Sequence, residues 1–368
     1  MTARATWAAA RRAAAVRGRA LAAFAGALAA LSGGCGGTPD GDLLDVVALY
    51  GEAGDAPGQF SYPRCLDATQ THAWVIDKLA RVQKIDVRTG ECVGGWRMPE
   101  WQNGKPTGVT VWTPPAGGPT RIIIADTHYH RVMVYDPAGI APPGEMSDAH
   151  GLVLASFGSY GEEDGQFIYP TDVCVLPTDD GRGIKRLYVA EYGGNDRVSV
   201  FEPAVGETPG HETRFTFLFA FGEPGAGEGR FNRPQSLFLG ADGTELVVVD
   251  ACNHRLARHA LDGTYLGQVG LGIGNGPGEM KYPYAGVVLS DGSVMVSEFG
   301  GNRLQRFDLR TGASLGIYGR AGRSPGELAS PWGVAVAGTR LLVLDSGNNR
   351  VQSITAPGRS MWSVGGSR

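Results

Sequence analysis

Two short patterns recur in fixed order from residue 42 to the C-terminus, and such repetition constrains the fold more than any other feature of the chain. The first pattern is a glycine, any residue and an apolar residue, with a proline three residues after the apolar one. Five clear copies end at Pro63, Pro170, Pro234, Pro283 and Pro331. The segment Trp101-Gln102-Asn103-Gly104-Lys105 before Pro106 is a looser sixth copy.

The second pattern lies downstream of each proline and consists of an apolar segment ending in a carboxylate, a short turn, and arginine followed by an apolar residue. A catalytic ion pair is needed once, whereas this pair occurs six times. We therefore predict that each pair is a structural clamp, in which the guanidinium binds the carboxylate or turn carbonyls. The six pairs are Asp77 and Arg81, Asp126 and Arg131, Glu191 and Arg197, Asp250 and Arg255, Glu298 and Arg303, and Asp345 and Arg350.

Each repeat divides into four short segments separated by tight-turn residues. In the fifth repeat the turns are Asp291-Gly292, Gly300-Gly301 and Thr311-Gly312. Such glycines supply the positive φ that links antiparallel strands, which explains why the chain contains 57 glycines. Four antiparallel strands per repeat, six times over, predict an all-β fold, a six-bladed β-propeller over residues 42–368.

The repeats contain one more outer strand than the ring needs. Val46–Tyr50 and Trp362–Gly365 compete to be the outer strand of the last blade. Residues 43–50 precede Gly58-Gln59-Phe60, as an outer strand does in the other repeats. We therefore predict that this N-terminal strand closes the ring, because an open ring would leave an unpaired edge.

These patterns resemble the NHL repeat, a family of six-bladed β-propellers, over nearly all of residues 42–366. Val249–Arg255 and Leu344–Arg350 each contain the family's D-x-x-N-x-R core. The first copy, from Asp77 to Arg81, departs from it and lacks the asparagine. The resemblance implies a ring of six blades around a central channel.

One group of enzymes built on this scaffold can be compared position by position. The resemblance implies that peptidyl-hydroxyglycine amidating lyases place zinc-binding histidines directly after the proline that opens an inner strand. No histidine stands at those positions here, so we do not expect that lyase activity. The residues present are Arg64, Thr107, Thr171, Gln235, Tyr284 and Trp332.

The same positions indicate where a ligand would bind. The residues after each proline should enter the mouth of the channel, with Asp172 beneath them. Aromatic faces combined with hydrogen-bonding groups suit a sugar, a peptide or a partner's side chain. We predict a ligand-binding site of Arg64, Asp172, Gln235, Tyr284 and Trp332. The alternative is that these side chains only pack the top of the channel.

Residues 1–34 have the pattern of a signal peptide. Five arginines without an acidic residue precede the apolar run Leu21–Leu31, which is too short to span a bilayer. Small residues ending in Cys35 resemble the lipobox of bacterial lipoproteins, although Leu31 lies four residues before the cysteine instead of three. We expect lipidation at Cys35, a linker over residues 35–41, and anchoring in a bacterial cell envelope. Periplasmic or secreted protein is the alternative.

Removal of residues 1–34 changes the charge balance. Five of the 33 basic residues would be lost and all 37 acidic residues kept, which leaves a net charge of −9. Nucleic-acid binding requires clustered basic residues, so we expect no nucleic-acid partner.

The sequence favours a non-enzymatic binding or scaffold propeller, tethered to the envelope or secreted, that presents its channel face to a protein or a carbohydrate. We expect a monomer with no cofactor and no metal. The alternative is a propeller enzyme of lactonase or lyase type that uses a divalent cation in the channel. Asp172 is the single carboxylate that the sequence places there, which is thin support for such a site.

Overall fold

The computed structural model describes residues 44–355, which form six four-stranded antiparallel sheets. Each sheet is one blade, and the blades are numbered I to VI in the order of their inner strands. The predicted six-bladed β-propeller is therefore confirmed. The predicted signal peptide, the lipidation site Cys35, the linker and the segment Trp362–Gly365 lie outside the described residues.

The first three blades follow one another along the chain. Blade I contains β2 (Pro63–Ala68), β3 (His72–Asp77), β4 (Arg81–Asp86) and β5 (Cys92–Arg97). Blade II contains β6 (Gly108–Trp112), β7 (Arg121–Asp126), β8 (Arg131–Asp136) and β9 (Leu152–Phe157). Blade III contains β10 (Tyr169–Pro177), β11 (Ile184–Tyr192), β12 (Arg197–Pro203) and β13 (Phe215–Phe221).

The last three blades complete the ring. Blade IV contains β14 (Pro234–Leu239), β15 (Glu245–Asp250), β16 (Arg255–Ala260) and β17 (Tyr265–Val269). Blade V contains β18 (Pro283–Val288), β19 (Val294–Glu298), β20 (Arg303–Phe307) and β21 (Ser314–Tyr318). Blade VI contains β22 (Gly333–Ala337), β23 (Arg340–Asp345), β24 (Arg350–Thr355) and β1 (Val46–Tyr50).

The hydrophobic core lies between the faces of adjacent blades. Residues of the middle strands are buried on both sides, so these strands are apolar without alternation, as in β7. Trp74 and Ile76 of blade I pack with Ile122 and Ile124 of blade II in one such cluster. The inner strands of neighbouring blades contact one another in the order β2, β6, β10, β14, β18, β22 and back to β2. They form the wall of a central channel.

Blade VI joins the two ends of the described chain. Its strand order is β1-β24-β23-β22, so the N-terminal strand is its outer strand, as predicted. Tyr50, 4% exposed, ends β1, and its hydroxyl donates a hydrogen bond of 2.5 Å to the carbonyl of Val87 in blade I. The N-terminal strand therefore completes one blade and contacts the next.

The six predicted carboxylate–arginine clamps are all present, with N–O distances of 2.5 to 2.9 Å. Each carboxylate is at most 2% exposed. In blade V the Arg303 Nε donates to Glu298, and its Nη2 donates to the Glu279 carbonyl in the Gly-x-apolar turn. The apolar residue of that turn, Met280, is fully buried. The clamp thus fixes the turn that leads into the inner strand.

Among the described residues, none lies in a helix with the length and apolar character that crossing a bilayer requires.

Closure by β1 can be tested with two substitutions on the same strand. Replacement of Tyr50 by alanine removes a buried ring and a hydrogen bond, so we expect a loss of about 3 kcal/mol or more in the free energy of unfolding. Val47 is 47% exposed, and Val47→Ala should cost less than about 1 kcal/mol. Urea unfolding measures both values, and equal small losses would contradict closure by this strand.

Candidate functional site

A cavity of about 360 Å³ occupies the centre of the ring and is lined by inner-strand residues from all six blades. The structure brings the five sequence-predicted site residues together in its wall: Arg64, Asp172, Gln235, Tyr284 and Trp332. Of the six post-proline residues, Thr107 also lines the cavity, whereas Thr171 does not and donates to the carbonyls of Ala190 and Pro234 instead. That these residues bind a ligand stays a prediction.

A β-bulge directs several of these side chains. In four blades the pairing register shifts between the proline and the second residue after it, which leaves the residue between them unpaired. A bulge bends the strand locally and redirects its side chains. The four bulged residues are Arg64, Thr171, Gln235 and Tyr284.

The clamp carboxylate fixes the start of each of these inner strands. While one oxygen of Glu298 binds Arg303, the other accepts a hydrogen bond of 2.8 Å from the Lys281 N–H, two residues before Pro283. Asp345 accepts the corresponding bond from Ala329, two residues before Pro331. The same contact recurs at Ser61, Ile168 and Asn232. The strand entry is thus held from within its own blade.

A second contact holds the strand entry from the preceding blade. Asn302 and Asn349, each just before a clamp arginine, have φ of 52° and 55°. Their side-chain oxygens accept hydrogen bonds of 2.7 Å from the backbone N–H of Ser330 and Tyr62, the residues before the prolines. His254 and Asp196 make the same contact with Tyr282 and Arg233. The two residues that precede the proline are therefore both held in place.

An aromatic cluster forms one side of the channel mouth. Tyr284 and Phe299 are stacked with centroids 4.5 Å apart, and Trp332 lies edge-on to Tyr284 at 4.9 Å. Tyr284 and Trp332 are 6% and 7% exposed, whereas Phe299 is half-buried. Phe299 packs directly against the predicted site residues Tyr284 and Trp332.

Two arginines, Arg64 and Arg233, each lie against two aromatic rings at the mouth. A guanidinium on a ring face keeps its edge N–H groups available for an acceptor. The contacts are Arg64 with Tyr62 at 6.0 Å and Trp332 at 5.3 Å, and Arg233 with Tyr192 at 5.0 Å and Tyr284 at 5.6 Å.

The mouth carries uncompensated positive charge. Within residues 44–355 no salt bridge involves Arg64 or Arg233. Burial lowers the pKa of Arg64, and the charge of Arg233 lowers it further. Burial also lowers the pKa of His128, as do the charges of Lys105 and Arg64. A bound anion would relieve this repulsion.

Several buried polar atoms at the mouth have no hydrogen-bond partner. Gln235 is 2% exposed, and neither its Oε1 nor its Nε2 is paired. The indole Nε1 of Trp332 and the Nε atoms of Arg64 and Arg233 are unpaired as well. Leaving a buried donor or acceptor unpaired costs about 1–3 kcal/mol, so such a cluster in one cavity indicates a place for a ligand or solvent.

Arg233 and Asp67 are site residues that the sequence analysis missed. Arg233 directly precedes Pro234, so the residue before each proline is the signal that would have found it. Asp67 lines the channel two residues after Cys65, where strand alternation alone gave no reason to single it out. The rim is therefore built from both sides of the proline.

The two channel carboxylates, Asp67 and Asp172, tie inner strands of adjacent blades together. Asp172 accepts hydrogen bonds from the N–H groups of Val173 at 2.9 Å and Leu237 at 3.0 Å. Asp67 accepts one from Val111 at 2.7 Å. Burial raises the pKa of Asp172 to about 7 and that of Asp67 to about 6. No group of three or more histidine, cysteine or acidic side chains within residues 44–355 is arranged to hold a metal ion.

The sequence profile of the NHL repeat matches residues 328–353, which run from the Gly-x-apolar turn of blade VI through β24. The chain is a six-bladed β-propeller with an NHL repeat. No curated protein is significantly similar to this NHL-repeat propeller in sequence.

Solved structures share the fold of the NHL-repeat propeller at low sequence identity. A protein of unknown function from Bacteroides thetaiotaomicron is 16% identical, with 86% of this chain and 73% of that chain covered and a TM-score of 0.56. A streptogramin B lyase is 11% identical, covers 84% and 97%, and has a TM-score of 0.53. Virginiamycin B lyase from Staphylococcus aureus is 14% identical, covers 85% and 97%, and has a TM-score of 0.50. These likenesses show the fold alone.

The unpaired amide of Gln235 leads to a prediction about stability. Gln235→Leu keeps the approximate size of the side chain and removes two atoms that no protein group pairs with, so we expect the free energy of unfolding to stay the same or to rise by up to about 1 kcal/mol. Urea unfolding of the two proteins measures the change. A clear loss of stability would mean that the amide is paired within the folded protein.

The raised pKa of Asp172 predicts how stability depends on pH. Between its ordinary pKa of 3.8 and about 7, the folded protein holds a proton that the unfolded chain releases. The stability of the wild type relative to Asp172→Asn should therefore fall as pH rises from 4 to 7, by at most about 1.4 kcal/mol per pH unit. Urea unfolding at several pH values measures this difference, and a difference independent of pH would contradict the raised pKa.

Proposed function

We propose that this NHL-repeat propeller is a non-enzymatic binding protein that holds a protein or carbohydrate ligand at its channel mouth. The observation that carries the proposal is the buried, unpaired amide of Gln235 in the same cavity wall as the unpaired indole N–H of Trp332. These groups stand on a rigid wall of strands, and no protein atom of the described residues forms a hydrogen bond with them. A ligand that supplies the missing hydrogen bonds gains affinity without a conformational change.

The proposal includes export and lipid anchoring through Cys35, on the basis of the signal-like residues 1–34. The anchor would hold the propeller at an envelope surface, where the acidic balance of the remaining chain is compatible with protein or glycan partners. A propeller released into the periplasm or the medium is the alternative.

A lyase or lactonase is the second candidate, because Asp67 and Asp172 place two carboxylates in the channel. The oxygens of both already accept backbone hydrogen bonds, and burial raises both pKa values. A divalent cation would have to displace these contacts and the protons. The arrangement therefore favours strand–strand bonding over metal binding, and elemental analysis of the purified protein decides between them.

Partner capture tests the binding role. Immobilised wild-type protein should retain a component of its own envelope fraction, whereas the double variant Trp332→Ala and Tyr284→Ala should retain little of it. The double variant Phe215→Ala and Tyr265→Ala is the matched control, because both aromatic side chains are half-buried on the outermost strands of their blades, away from the channel. It should retain the component as the wild type does.

Thermal melts must first show that both variants are folded. Equal retention by the Trp332 and Tyr284 double variant would remove the channel mouth from the binding role. A stoichiometric divalent metal in the purified protein, together with chemical change of the retained component, would favour the enzyme instead.

A further inference from the structure

The charge of the channel mouth specifies one group of the ligand. Arg64 and Arg233 lie against the Trp332 and Tyr284 rings, and those rings are themselves 4.9 Å apart. No carboxylate of the described residues forms an ion pair with either guanidinium. The Nε atoms of both arginines are buried and unpaired. Arg64 lines the cavity, and Arg233 lies against Tyr284, which lines it as well. A ligand carboxylate would receive charge-assisted hydrogen bonds from one or both arginines.

Gln235 specifies a second group. Its Nε2 donates and its Oε1 accepts, and both atoms are unpaired in a residue that is 2% exposed. A carboxylate only accepts hydrogen bonds, so it satisfies one of these atoms and not the other. A hydroxyl group both donates and accepts. The ligand therefore needs hydroxyl groups near its carboxylate.

We propose that the channel mouth binds an acidic sugar, with the carboxylate on Arg64 and Arg233 and ring hydroxyls on Gln235. This inference rests on the proposed function and names its ligand class. The unpaired Trp332 Nε1 supplies a further donor for a ring or hydroxyl oxygen.

Two observations favour a sugar over the carboxyl end of a peptide. The cavity of about 360 Å³ is near the lower limit for small-ligand pockets, which suits one sugar ring. Half-buried aromatic rings contact the arginines or the Trp332 ring, and they offer flat apolar faces for the C–H side of such a sugar. These rings belong to Tyr62, Tyr192 and Phe299.

Calorimetric titration with trigalacturonate tests the proposal, and its methyl ester is the neutral control of the same shape. We expect the acid to bind and the ester to bind at least about tenfold more weakly. The double variant Arg64→Gln and Arg233→Gln should lose affinity by about a hundredfold or more. Arg88→Gln with Arg310→Gln changes the net charge equally at exposed turns and should bind as the wild type does.

A tripeptide with a free carboxyl end, compared with its amide, tests the other source of a carboxylate. Binding of the free peptide without binding of any galacturonate or glucuronate oligosaccharide at millimolar concentration would overturn the acidic-sugar proposal. Equal binding of the acid and its ester would overturn it as well. In either case the proposed binding role stands if the envelope component is still lost from the Trp332 and Tyr284 double variant, so the two failures are distinguishable.

Discussion

The buried carboxylate–arginine pair is the interaction on which the rest of the molecule depends. Desolvation of such a pair offsets much of its attraction, and burial raises the pKa of Glu298 even beside Arg303. Its contribution is therefore mainly geometric. Arg303 holds the Gly-x-apolar turn, and Glu298 holds the N–H two residues before the proline. The pair that braces a blade thus also sets where the inner strand enters the channel.

In each repeat, the residues that hold the blade in shape are different from the residue that follows the proline. The clamp residues and the proline recur from blade to blade, whereas the residue after the proline differs in nearly every blade and lines the channel in every blade but the third. A rigid frame can then carry different side chains at one position per blade without cost to the fold. Lyases of low sequence identity share the fold, while the arginines and Gln235 belong to the proposed site of this chain.

The sequence alone predicted the blade count, the six clamps, the closing strand and five side chains of the channel wall, because each depends on a repeated local pattern. It did not predict Arg233, because the direction of a residue with φ of 59° does not follow from strand alternation. The contact of Asn349 with Tyr62 was missed since the two residues are 287 positions apart. The unpaired state of the Gln235 amide depends on every neighbour in space, which repeats do not encode.

The central claim is that the polar groups of the channel mouth are held open for a ligand by the strands behind them. A crystal structure that locates ordered water tests it most directly. The account predicts that the Gln235 amide and the Trp332 indole N–H bond to water or to a co-purified ligand inside the channel. A structure in which both groups pair with protein atoms instead would contradict the account.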